Sequence, residues 1–175
     1  MAYQTSDIRN VCLVGPSNGG KTQLAEALLH AGGAIATCGS VDKGDTVSDF
    51  TPRERALGHS QYPAVCHLDH GGIHVNLVDT PGYRDFYNRS LSVLPAAETA
   101  AVVINAQDGV EMIARRVMDA AQKQRLCRMI IINKIDLEDT DLEGVLAEVR
   151  EAFGNECLPL NLPSADGHKV VDCFF

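Results

Sequence analysis

One stretch constrains this chain more than any other. An apolar run, IRNVCLV at Ile8 to Val14, feeds directly into GPSNGGKT at Gly15 to Thr22, and TQLAEALLHA follows with helical spacing. A strand that turns through glycines into a helix points to an α/β fold, because a parallel strand needs a helical crossover to reach its neighbour. The eight turn residues match G-x-x-x-x-G-K-[ST], and the flanking strand and helix are the context that gives the pattern meaning. Glycines let backbone N–H groups approach a phosphate chain with no Cβ in the way, and the helix N-terminus adds positive potential. Gly15, Pro16, Ser17, Asn18, Gly19 and Gly20 are thereby expected to cradle phosphate. Lys21 would neutralise the β- and γ-phosphates, and the Thr22 hydroxyl would hold Mg²⁺. Leu24, Leu28 and Ala31, with Ala27 beside them, are the expected buried face of the helix, which Gly32-Gly33 ends.

Downstream, apolar runs alternate with helix-period segments. Strands are expected at 64–68 and 73–78, joined by a hairpin turn at DHGG, then at 100–106 and 128–133. Helices are expected at 109–124 and 140–153, the second capped by Asp141 or Thr140. Continuous Val/Ile runs separated by helices indicate a mostly parallel sheet covered on both faces. Residues 37–61 are polar, carry Pro52, and show no period, so they read as a long mobile loop. The 175 residues suit one compact domain, with no internal linker or repeat.

Two further motifs follow the phosphate loop in order. DTPG, at Asp79 to Gly82, ends a predicted strand, and ligands of open α/β sheets sit beyond such tips. Asp79 can reach Mg²⁺ there, Gly82 can offer its N–H to a γ-phosphate, and the attacking water would lie beside Gly82 and Tyr83. NKID, at Asn133 to Asp136, ends the RMIIIN strand. Guanine presents a ring N1–H beside an exocyclic amino group, and one carboxylate, Asp136, can accept from both, whereas adenine lacks that donor pair. Asn133 would tie this loop to the phosphate loop, and the Lys134 stem would cover a base face. The three motifs together make GTP or GDP the ligand, with Mg²⁺ as cofactor.

The remaining chemistry-bearing residues are weaker candidates. His67, His70 and His74 cluster on the predicted hairpin, and alternation places His70 and His74 on one side and His67 on the other, which disfavours a three-histidine metal site. Arg84 and Arg89 could approach phosphates, although arginines at such places more often lie on a solvated face. The six cysteines contain no C-x-x-C pair and read as reduced core or surface residues. A net charge of −8 argues against a broad basic surface for nucleic acid. No apolar run approaches the roughly 20 residues needed to span a bilayer. The polar N-terminus lacks a signal-peptide core, so a cytoplasmic protein is expected.

The order and spacing of the three motifs resemble the P-loop GTPases, and more finely the translation-factor GTPases near elongation factor G. DTPGYRDF is similar to that family's D-T-P-G-H-V-D-F, and RNVCLVGPSNGGKTQL to its opening strand and P-loop. PRERALGHS resembles its E-R-G-I-T-I switch segment, and ECLPLNLP its proline-flanked strand after the base-recognising loop. The resemblance covers residues 7–175. It implies a P-loop GTPase fold and a GTP-switched factor acting on the ribosome through a much longer protein. It also implies a chain that stops short of the last strand, loop and helix, with about 157–175 beginning an inserted subdomain. On an alternative alignment, Ser164-Ala165-Asp166 is the last nucleotide loop and GHKVVDCFF starts the last helix. The chain departs from the family pattern at three sites. Asn18 stands for an aspartate, Tyr83 for the water-positioning histidine, and Gly58, or Ser60 if the loop shifts by two, for the switch threonine that binds Mg²⁺. These departures imply weak hydrolysis by the isolated domain.

Overall fold

The computed structural model describes residues 3–163 and 170–173. Among these residues are seven strands: β1 (Ile8–Val14), β2 (Ala64–His70), β3 (Ile73–Asp79), β4 (Thr99–Asn105), β5 (Cys127–Asn133), β6 (Asn161–Pro163) and β7 (Val170–Asp172). Five α-helices accompany them: α1 (Lys21–Ala31), α2 (Pro52–Leu57), α3 (Tyr87–Val93), α4 (Met112–Lys123) and α5 (Leu142–Phe153). The first five strands form one sheet in the order β2-β3-β1-β4-β5. All of its pairings are parallel except β2 with β3, the hairpin. Gly71 and Gly72, both at positive φ, make the hairpin turn, a backbone that suits the twist of paired strands.

Alternation along the central strands fills two cores. Cys12, Val14, Val102 and Ile104 face α4 and α5, meeting Ile113, Val117, Met118, Val145 and Val149. Leu13, Leu77, Ala101 and Val103 face the other way, against Ala25 of α1. With helices on both faces, β1 and β4 are sealed, and their C-terminal tips deliver the loops that form the site. Asp141 caps α5 as anticipated, its side chain accepting the Gly144 N–H.

Three expectations need correction, and one alternative falls away. On α1 the buried residues are Lys21, Ala25, Glu26 and Leu29, whereas Ala27, Leu28 and Ala31 lie outside. The cause is Glu26, whose carboxylate accepts the N–H groups of Gly39 at 2.9 Å and Val47 at 2.6 Å and so turns this side of the helix inward. Residues 37–61, expected to be a long loop, carry ordered structure. They hold a helical turn at Val41–Lys43 and helix α2, and Thr46, Ser48, Asp49, Glu54 and Gln61 are buried. The histidine assignment is also wrong, because His67 and His74 lie on different strands. The register sets Asp69 opposite His74, so His67, two residues before Asp69, shares a face with His74, at a ring separation of 5.3 Å. Lastly, Val170–Asp172 is a strand paired antiparallel with Asn161–Pro163 and not the start of a helix. Ser164-Ala165-Asp166 lies outside the described residues.

Candidate functional site

The glycine-rich loop lies on top of β4. Gly15 has φ +131°, and a Cβ there would strike the Val103 carbonyl; a Cβ on Gly19 would come within 2.8 Å of the same oxygen. Close approach of backbone to backbone is what excludes side chains here. Asn18 adopts left-handed backbone at φ 63°, a conformation asparagine tolerates better than most residues. The loop ends where Lys21 opens α1. Its side chain folds back, and the ammonium donates to the Pro16 carbonyl at 2.6 Å. Lys21 is 6% exposed. Burial pushes its pKa down to about 8, against the opposing pull of Asp79 and Glu111. A buried ammonium with no ion-pair partner among the described residues is a cation prepared for an anion.

Beside it lies a cluster of buried oxygens. Thr22 Oγ1 donates to Asp79 Oδ2 at 2.7 Å and stands 3.1 Å from Ser60 Oγ. The Ser60 hydroxyl donates to Asp49 Oδ1 at 2.7 Å, and Thr46 Oγ1 to Asp49 Oδ2 at 3.1 Å. Asp79 is 2% exposed, and burial pushes its carboxyl up to about 6, opposed by Thr22 and Lys21. Among the described residues, two buried oxygens, Asp79 Oδ1 and Ser48 Oγ, make no well-formed hydrogen bond, although the Ser48 hydroxyl lies close enough to help hold the Asp79 carboxylate ionised. Orphaned acceptors of this kind carry a desolvation cost unless something fills the gap. An all-oxygen set around a buried carboxylate suits a hard divalent cation such as Mg²⁺, so these residues fit the metal that the motifs imply. Gly58 is elsewhere: it caps α2 at φ +66°. Of the two residues that could stand for the switch threonine, Ser60 is the one beside Thr22.

The turn after β3 is pinned from two sides. Thr80 Oγ1 donates to the Leu13 carbonyl and Ser90 Oγ to the Pro81 carbonyl, both at 2.7 Å. Gly82 packs so closely on the phosphate loop that a Cβ would meet Lys21 Nζ and lie 2.6 Å from Pro16 O and Ser17 N. Tyr83 then points outward, 46% exposed, with the His59 imidazole against its ring. Arg89 donates to the Gln61 carbonyl at 2.6 Å and lies over Tyr62, and so serves the fold. Arg84 is exposed.

At the other end of the cleft, Asn133 Nδ2 donates to the Gly19 carbonyl at 2.9 Å, tying the NKID turn to the phosphate loop. Lys134 follows at φ 60°, and Asp136 is exposed. The structure thus gathers Gly15–Thr22, Asp79, Gly82, Tyr83 and Asn133–Asp136 along one edge of the sheet. Sequence reasoning missed Thr46, Ser48 and Asp49. They sit in a polar stretch with no period, where only the density of side-chain oxygens in DTVSD hinted at a role.

Comparison with known proteins agrees with this geometry. The family model for the elongation factor Tu GTP binding domain matches residues 6–172. An elongation factor G-like protein of Mycobacterium tuberculosis is 43% identical over 160 residues, 91% of this chain and 22% of that protein. A mitochondrial ribosome-releasing factor 2 of Culex quinquefasciatus is 35% identical over 94% of this chain and 22% of its own length. A tetracycline resistance protein of Butyrivibrio fibrisolvens is 39% identical over 86% of this chain and 24% of its own. A crystal structure of a Thermus thermophilus protein superposes with a TM-score of 0.89 at 35% identity, covering 95% of this chain and 26% of that one. The chain spans about a quarter or less of the length of each of these relatives. Over that span the three motifs, the sheet order and the similarity coincide, and the chain belongs to the elongation factor Tu GTP-binding domain family of P-loop GTPases.

Proposed function

We propose that this chain is the GTP-hydrolysing switch domain of an elongation factor G-like translation factor, acting on the ribosome in elongation or translocation as part of a longer cytoplasmic protein. The observation that carries the reading is the buried pair Lys21 and Asp79 with the half-buried Thr22 under Gly82, where Asp79 Oδ1 makes no well-formed hydrogen bond among the described residues. In hydrolysis by water, positioning and charge stabilisation matter more than covalent chemistry. Lys21 places its charge on the β- and γ-phosphates, and the Gly15–Gly20 amides cradle the chain. The Gly82 N–H donates to the γ-phosphate. Thr22 and Asp79 would hold Mg²⁺, with the Ser60 hydroxyl close to Thr22, and the ion would supply positive charge against the phosphate oxygens. Asp136 selects guanine and Asn133 keeps that turn in register with the phosphate loop. Residues 157–175 begin an inserted subdomain. The domain itself makes no sequence-specific contact with nucleic acid and does not engage a membrane.

Tyr83 stands beside the water position, and a neutral phenol can donate or accept a hydrogen bond but cannot carry an imidazolium's charge. Hydrolysis by the domain alone is therefore slow, and Tyr83→His is expected to accelerate single-turnover hydrolysis of GTP. A wild type already faster than the histidine variant would refute that account. Asp136→Asn replaces a double acceptor with one donor and one acceptor, so preference should move from guanosine to xanthosine nucleotides; unchanged preference would remove Asp136 from base selection.

A second reading is favoured by Asn18, Gly58 and Tyr83 together: a nucleotide-binding module that barely hydrolyses and serves ribosome recycling, rescue or protection. Phosphate release from the full-length protein titrated with ribosomes separates the two. Stimulation by orders of magnitude supports the enzyme, and none supports the module.

A further inference from the structure

Tyr83 is not an isolated side chain. The His59 imidazole lies against its ring with centroids 4.4 Å apart and planes inclined by 43°. Phe86 flanks the same imidazole at 6.2 Å. The Arg89 guanidinium stands 5.0 Å from the Phe86 centroid and 4.3 Å from that of Tyr62. Rings and guanidinium thus join the segment before β2 to the turn after β3. The backbone on either side of His59 is held in place. Its own N–H donates to the Glu54 carbonyl at 3.3 Å, and the Gln61 N–H to the Glu54 carboxylate at 2.9 Å. Ser60, the next residue, has its hydroxyl among the oxygens around Thr22. His59 is half-buried where Tyr83 is 46% exposed, so the imidazole is the better fixed of the two rings.

We propose that His59 is a positioning residue for GTP hydrolysis: its ring holds the Tyr83 phenol beside Gly82 and links that placement to the packing of residues 46–60 over the metal oxygens. This rests on the hydrolysis reading given above. A side chain free to swing about its first two torsions spends only part of its time in any one orientation. An aromatic contact on one face restricts that freedom, and the gain is about threefold to tenfold in the population of the held state. Because Ser60 and His59 are adjacent, the metal oxygens and the ring contact are made or broken together. Tyr83 is then in place when the segment is packed over Thr22.

The test is single-turnover hydrolysis at saturating GTP by the purified protein, with GTP and GDP dissociation constants measured alongside. His59→Ala should lower the rate about fivefold and leave both dissociation constants within about twofold. His59→Phe, which keeps a ring, should restore most of the rate. In the Tyr83→Ala background, His59→Ala should add nothing. Should the alanine variant fail to fold, His59→Leu replaces it, filling the space without an aromatic face, and the same slowing is expected. An unchanged rate, a phenylalanine variant as slow as alanine, additive losses with Tyr83→Ala, or equal weakening of GTP and GDP binding would each overturn the proposal. A wild type that binds GTP without turnover would instead remove the hydrolysis reading on which it rests.

Discussion

Glu54 is the most economical place to loosen the segment that packs over the oxygens around Thr22. Its carboxylate is fully buried and accepts four donors. Gln61 and Tyr62 N–H groups reach Oε1 at 2.9 and 3.0 Å, and the N–H and hydroxyl of Thr51 reach Oε2 at 3.1 and 2.6 Å. Glu54→Gln keeps the shape and removes the charge. The amide oxygen can keep Gln61 and Tyr62, and the amide NH₂ can donate to the Thr51 hydroxyl, but the Thr51 N–H then faces a donor. One stranded N–H costs about 1–3 kcal/mol, and two bonds that lose charge assistance cost about 1 kcal/mol more between them, roughly 2–4 kcal/mol in all. Because the bonds lie within one segment, the loss should appear as local opening and not as global unfolding. Hydrogen exchange should show protection of the Gln61 and Tyr62 amides falling about thirtyfold to several hundredfold, with the β1 and β4 amides little changed. Burial by itself would raise the Glu54 pKa, but the bonds from Thr51, Gln61 and Tyr62 outweigh it and hold the carboxyl below its usual range. A lowered acid pKa means that this stabilisation is present above the unfolded value, about 4.3, and is lost as pH falls through the folded one. Wild-type protection should therefore decline on acidification, and that of the glutamine variant should stay flat. Protection within threefold of wild type at neutral pH would refute the reasoning.

Gly82→Ala places a methyl group on Lys21 Nζ and on the backbone of Pro16 and Ser17. The turn must back away, so GTP should weaken roughly tenfold against GDP, a ratio read by competition binding. Asn133→Ala removes the bond to Gly19 and should speed release of GTP and GDP alike by about tenfold, measured by nucleotide dissociation kinetics. Asp79 has its pKa raised to about 6 by burial, so its folded form holds a proton that the unfolded form gives up at lower pH. Its contribution to stability accordingly falls as pH rises from about 4 to 6. Cation binding below pH 6 must displace that proton, so calorimetry of Mg²⁺-GTP binding at pH 5.5 in buffers of different ionisation enthalpy should show more proton release from wild type than from Asp79→Asn.

The central fold was legible because it is built from local signals that agree with one another. β4 is an unbroken Ala/Val/Ile run that is buried at every position after Thr99, as a strand covered on both faces should be, and β1 and β5 carry the shorter apolar runs VCLV and MIII. The three motifs were legible for a related reason. Each demands a residue type at a fixed offset from a strand end, and the strand ends were already placed. α1 failed by the same logic run in reverse. Counting apolar residues put Leu28 inside, but Glu26 is buried by accepting backbone N–H groups from a loop 13 and 21 residues away. A carboxylate that goes inside to satisfy distant amides leaves no apolar period to detect.

Residues 37–61 show the same limit at the scale of a segment. They have no hydrophobic repeat, because what orders them is a pair of buried carboxylates, Glu26 and Glu54, that satisfy the amides of Gly39, Val47, Thr51, Gln61 and Tyr62. Such bonds join atoms whose partners depend on the tertiary fold, so the sequence shows only polar residues that look solvated. Neither anchor is hydrogen-bonded to the oxygens around Thr22 itself. Each instead holds a stretch of backbone that carries them: Val47 beside Thr46 and Ser48, and Gln61 beside Ser60. A segment held by a few strong polar bonds, without an apolar core of its own, can be released by breaking those bonds while the sheet beneath stays intact. That is the physical form the proposed nucleotide-dependent switch requires, and bonds of that kind are also why this segment was the hardest to read.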